Sequence, residues 1–267
     1  MVDFIRKDHY DFNDFVEIIR LLRGPGGCPW DTEQTHESIR KNFIEEVYEA
    51  VEAIDLNDKK LLREELGDVL MQVVLHAQME REAGVFDVDD VIDDVCDKII
   101  ERHPHVFGTV EAKNSNEVLE NWEKIKRATK GHKEHSQAVL DVPAALPALM
   151  RSQKVQQRAA RSGFDYPDLS WAMNDLKKEV AELEQAVSLS DETGCEEELG
   201  DILFSAVNVS RFLQKDAEES LTKSCNKFIN RFIEIEKMAK EQGKSLEDMS
   251  LEEMDMLWKN AKEKQKG

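Results

Sequence analysis

The sequence predicts an all-α protein made of two tandem helical units, each built round an antiparallel helix pair, and three observations carry that expectation. The pentapeptide EELGD occurs twice, at residues 64–68 and 197–201. Leu, Ala and Val recur at spacings of three and four, the period of an amphipathic helix. Pro and Gly are sparse, at 6 and 12 of 267 residues, so few positions break a helix.

Taken in order, the opening segment MVDFIRKDHYDF is too charged to be a signal-peptide core. ESIRKNFIEEVYEAVEAI then places Ile39, Phe43, Val47, Ala50 and Ile54 on one apolar stripe. Leu56, Asn57 and Asp58 read as a turn. KKLLREELGDVLMQVVLHAQ follows as a second helix, with Leu62, Leu66, Val69, Leu70 and Val73 on its stripe. Cys28, Pro29 and Trp30 read as a loop anchored by a buried Trp, and His103, Pro104 and His105 as a structured turn. VPAALPALM, whose Pro143 and Pro147 interrupt any long helix, separates the halves. The expected domains are residues 1–110 and 148–267, joined by a helical connector at 111–147.

The halves superpose by sequence. An offset of 133 residues lays Glu46, Glu49, Glu65 and Asp68 on Glu179, Glu182, Glu198 and Asp201. An offset of 129 lays CDKIIER, from residue 96, on CNKFINR, from residue 225. The second copy is shorter by four residues between its helices.

Residues three apart share a helix face, so Glu46 pairs with Glu49, and Glu65 with Asp68. Both pairs lie roughly 14 Å along their helices from the turn, so folding there sets them face to face. The second copy repeats this about Ser190 and Asp191. Four facing carboxylates repel unless neutralised, and Mg²⁺ or Mn²⁺, hard cations that take oxygen ligands, are the expected neutralisers. A solitary ExxE on a charged helix is ordinarily solvated surface; its duplication at matching geometry argues for a site. Gly67 and Gly200 each cost about 1 kcal/mol in a helix interior relative to Ala, which points to close approach by another helix or a ligand.

Composition excludes several alternatives. A net charge of −20 repels phosphate backbones and anionic membranes, so direct nucleic-acid binding is not expected. No apolar run has the length of a membrane helix. Cys28, Cys96, Cys195 and Cys225 are scattered without a CxxC pair, which argues against a zinc site or a disulfide framework and for reduced thiols in the cytosol. No GxxxxGK[ST] phosphate loop is present.

At this point the sequence resembles the MazG family of nucleoside triphosphate pyrophosphohydrolases, within the all-α NTP pyrophosphatase superfamily, nearly end to end. The family pattern EExxE then ExxD appears as Glu45, Glu46 and Glu49 with Glu65 and Asp68; GCPWD from residue 27, RHPHVFG from residue 102 and the tandem arrangement also look like MazG. The resemblance implies a homodimer that binds Mg²⁺ and hydrolyses nucleoside triphosphates, over a broad base range, to monophosphate and pyrophosphate. In the second half Lys178 replaces the first acid of EExxE, while all four proposed metal ligands remain.

Glu45, and less strongly Glu197, are candidates to orient the attacking water. Lys98 with Arg102, and Lys227 with Arg231, lie four apart on one helical face and suit phosphate oxygens. Trp258 resembles a family position associated with the nucleotide, where an indole would stack on the base. Where family members place basic residues before the second acidic motifs, this chain has Asp175 and Gly194. The alternatives are a phosphohydrolase acting on another pyrophosphate compound, and a helical regulatory protein that binds nucleotide or a partner without turnover.

Overall fold

The computed structural model describes residues 2 and 4–264, apart from 116, 119, 120, 123, 124, 126–128 and 130–133. Among the described residues all regular structure is helical, and no helix is long and apolar enough to cross a membrane. The chain divides into two compact units, Met1–Lys126 and Arg127–Gly267, a division that falls inside the expected connector. Part of that connector lies outside the described residues.

The first unit starts with α1 (Phe12–Arg23), whose first turn is closed by reciprocal hydrogen bonds between Asp11 and Asp14. A short α2 (Pro29–Glu33) has Pro at its first position, where a missing N–H costs nothing. Helix α3 (His36–Asp55) is capped by Thr35 with Ser38, and α4 (Lys59–Ala83) by Asp58, which accepts from the N–H groups of Lys60 and Leu61. Between them Asn57 adopts φ 54°, a left-handed geometry that Asn tolerates, so the predicted turn is where the sequence places it. Helices α5 (Val88–Arg102) and α6 (Pro104–Phe107) follow, with His103 as the cap residue between them. Ile19, Ile39, Val74, Leu75 and Val88 form its core.

The second unit contains α7 (His135–Leu140), α8 (Ala148–Ala160), α9 (Leu169–Leu189), α10 (Glu192–Phe212), α11 (Ala217–Glu241), a 3-10 turn at Leu246–Asp248 and α12 (Leu251–Lys264). The α9–α10 turn matches the first, with Ser190 at φ 57° and Asp191 accepting from the Gly194 N–H. Helix α8 is fixed to α10 by Gln156, whose amide donates to the Phe204 carbonyl at 2.8 Å. Ile235, Met238 and Ala239 of α11 pack on Met249, Leu257 and Ala261.

Three expectations change. The seam between α3 and α4 is lined by Ala53, Glu65 and Gln72, all buried, so the apolar stripes are only partly used within the unit. Ile39 and Ala50 are buried, whereas Val47, Ile54, Leu66 and Leu70 are exposed. Trp30 does not anchor its loop: it is 61% exposed. Buried Arg23 holds that segment instead, donating to the carbonyls of Asp31 and Gln34 and pairing with Glu82 at 2.9 Å. Finally, a Cβ added at Gly67 or Gly200 would meet nothing within 4 Å. The close approach expected there is not made by another helix of the same unit.

Candidate functional site

Each antiparallel pair brings acids together. On α3, Glu46 and Glu49 are one turn apart, and Glu65 faces them from α4. One carboxylate oxygen of each lies within 4.8 Å of the other two. Glu179 and Glu182 on α9 and Glu198 on α10 repeat the arrangement. Glu65 is 8% exposed, Glu46 half-buried and Glu49 exposed, so the cluster runs from the seam to the surface.

The electrostatics are those of unneutralised acids. Burial, then the charges of Asp68, Glu49 and Glu45, pushes Glu46 above the usual carboxylate range, opposed by a hydrogen bond from Gln72. Burial and then Glu49 and Asp68 push Glu65 up; burial and then Glu182, Glu179, Asp201 and Glu197 push Glu198 up. Glu198 Oε2 is buried without a hydrogen-bond partner. Three convergent oxygens with one orphaned fit a small divalent cation that prefers oxygen ligands, and they offer nothing to a soft metal.

Of the four acids expected from sequence in each half, three converge with one oxygen each within 4.8 Å of the other two. Asp68 and Asp201 lie one turn beyond Glu65 and Glu198 and stand outside the convergent groups, half-buried and exposed respectively. They act on the trio through charge. Glu45 and Glu197 are exposed neighbours of the trio residues.

The basic and aromatic candidates are carried on other helices of each unit. The Arg102 guanidinium lies over the Trp122 ring at 5.3 Å, and that of Arg231 over Trp258 at 5.6 Å. Trp258 also meets Phe228, at 5.2 Å between centroids, and packs on the core of the second unit. Lys98 and Lys227 are exposed. Val88 at the start of α5 is in the core, but Val95, Ile99 and Ile100 are exposed, so the stretch carrying Lys98 leaves its apolar side uncovered. Asp175 accepts from Ser205 Oγ at 2.9 Å and from Tyr166, and Gly194 supplies a capping N–H; both positions are occupied by packing duties.

Several polar residues were not singled out from sequence. Gln72, 5% exposed, holds Glu46. One turn on, His76 meets His36 (Nδ1 to Nδ1, 2.6 Å), and His36 Nε2 meets Glu80 at 2.7 Å. Burial, then His36, lowers the His76 pKa and keeps that ring neutral. The second copy has Leu169 and Val209 at these positions. Lys178, known from sequence only as a replacement, pairs with Glu182 at 2.9 Å and Glu179 at 3.5 Å; its four-residue spacing to Glu182 was the available signal.

The MazG nucleotide pyrophosphohydrolase domain matches twice, over residues 34–107 and 170–238, and each match encloses one acid trio. The chain is 42% identical over 251 residues to a nucleoside triphosphate pyrophosphohydrolase/pyrophosphatase MazG of Thermotoga maritima, covering 94% of this chain and 95% of that protein. It is 42% identical over 250 residues to a nucleoside triphosphate pyrophosphohydrolase of Escherichia coli (strain K12), covering 92% and 95%. It is also 49% identical over 257 residues to the uncharacterized protein YabN of Bacillus subtilis (strain 168), 96% of this chain but only 52% of that longer one. With two domain matches, each placed on a convergent carboxylate trio, the chain belongs to the MazG nucleotide pyrophosphohydrolase family.

Proposed function

We propose that the chain is a Mg²⁺-dependent nucleoside triphosphate pyrophosphohydrolase that cleaves the α–β anhydride, releasing nucleoside monophosphate and pyrophosphate. The observation that carries this reading is the convergence of three carboxylate oxygens within 4.8 Å in each of the two matched segments. The Thermotoga maritima and Escherichia coli relatives are named for the same activity.

Bound Mg²⁺, or Mn²⁺ in its place, would offset the triphosphate charge and lower the pKa of a bound water. Glu46, Glu49, Glu65 and Asp68 would hold it in the first half and Glu179, Glu182, Glu198 and Asp201 in the second, the two aspartates lying one turn beyond each trio. Glu45 and Glu197 orient the attacking water. Lys98 with Arg102, and Lys227 with Arg231, take phosphate oxygens. Trp258 stacks on the base; stacking accepts any base, which fits a broad range.

The working form is a homodimer. Leu66 and Leu70 beside Gly67, Leu199 and Leu203 beside Gly200, and Phe228 and Phe232 are exposed; the two helical glycines have open space over them, and uncovered apolar area of this kind favours association. The compartment is the cytosol, in keeping with four free cysteines. Product analysis on a panel of nucleoside triphosphates with Mg²⁺ tests the reaction: monophosphate with pyrophosphate supports it, whereas diphosphate with orthophosphate, or no turnover, overturns it.

A further inference from the structure

The two trios differ in one counter-charge. Before Glu46 the first half has Glu45, an additional negative charge; before Glu179 the second half has Lys178. The Lys178 ammonium lies 2.9 Å from Glu182 Oε2 and 3.5 Å from Glu179 Oε1. It therefore bridges two of the three carboxylates that converge, while the third, Glu198, keeps an oxygen buried and unpartnered. As a helix-stabilising pair it has the weaker of the two orientations, with Lys four residues before Glu. What the position does supply is a positive charge where a divalent cation would otherwise have to supply all of it.

Resting on the reading of the trios as metal sites, we propose that Lys178 is a tethered counter-ion of the second trio, which a divalent cation must displace from Glu179 and Glu182 in order to enter. The side chain is 62% exposed and flexible, so displacement is a swing into solvent. The interaction lost is that of an exposed ion pair, which sets the penalty on metal affinity at about two- to fivefold. The first trio carries no such penalty, so the halves take up metal by different equilibria although their carboxylates match.

The test is Mn²⁺ binding by equilibrium dialysis on the full chain. With the first trio disabled by Glu46→Ala and Glu49→Ala, Lys178→Met is expected to tighten binding at the second by about two- to fivefold, while Lys177→Met, at an exposed neighbour, leaves it unchanged. With the second trio disabled by Glu182→Ala and Glu198→Ala, Glu45→Lys is expected to weaken the first by a similar factor. Unchanged or weakened binding with Lys178→Met overturns the inference and leaves the metal sites standing, as does equal tightening with Lys177→Met, which reduces the effect to net charge. Mn²⁺ binding that survives removal of both trios overturns the metal-site reading and this inference with it.

Discussion

Glu46→Gln separates the two things the first acid trio does. The carboxylate is half-buried and faces Glu49 and Glu65, with an oxygen of each inside 4.8 Å. Without metal, its ionised form is disfavoured by burial and by neighbouring charge. Its folded-state pKa therefore lies above the unfolded value, the folded protein binds more protons between the two, and the stability due to this group falls as pH rises through that window. The amide removes the repulsion and keeps the volume. Metal-free Glu46→Gln should melt higher than the parent at pH 7, and the gain should vanish by pH 4.

Metal reverses the ranking. Removing one charged ligand contact costs about 1.5–3 kcal/mol, which is about a ten- to hundredfold loss of affinity. At metal one hundred times the parent Kd the stabilisation on binding is about 2.7 kcal/mol; it falls to about 1.4 if Kd rises tenfold and to about 0.4 if it rises a hundredfold. The assay is calorimetric melting of the chain, with the second trio disabled by Glu182→Ala and Glu198→Ala, at fixed Mg²⁺ and in chelator. A lower metal-free melting temperature together with an undiminished metal increment would refute the reasoning, since Glu46 would then be a packing residue and not a ligand.

Other substitutions probe the scaffold and the substrate side. Leu75→Ala, at a core position only 5% exposed, should cost about 2–5 kcal/mol, read as a lower denaturation midpoint with an unchanged slope. Arg23→Met removes the anchor of the segment from residue 27 and leaves Glu82 with the Gln78 amide but without its counter-charge; with Glu82 partly solvated the loss should be about 1–3 kcal/mol, and proteolysis near Trp30 should accelerate. Trp258→Ala should raise KM for nucleoside triphosphates by about five- to 150-fold, from about 1–3 kcal/mol of stacking per base, whereas Trp258→Phe should stay near the parent. An equal fall in kcat with KM unchanged would reassign Trp258 to packing.

The sequence made the helix pairs legible because their turns carry local chemistry. Asn57 and Ser190 take the left-handed geometry, and Asp58 and Asp191 cap the returning helices. Fixed turns fix the register, so Glu46, Glu49 and Glu65 were readable as one group. The offset of Asp68 and Asp201 from the convergent oxygens was not readable, because spacing along a helix gives the face but not the few degrees that decide which oxygens converge. The burial side was misread for a related reason. Stripes such as Val47 with Ile54, and Leu66 with Leu70, look like a core whether their cover lies in the same unit or beyond it, and here small and polar Ala53, Glu65 and Gln72 occupy the seam. Arg102 over Trp122 and His36 against His76 depend on tertiary placement that no local period encodes.

The central claim is that carboxylate trios drive anhydride hydrolysis, and pyrophosphate release measures it most directly. Wild type, Glu49→Ala, Glu182→Ala and the double variant should be assayed with Mg²⁺ on the same nucleoside triphosphate panel. The account predicts release by wild type and none by the double variant, with the single variants dividing the activity between the halves. Release by the double variant at the wild-type rate would contradict it.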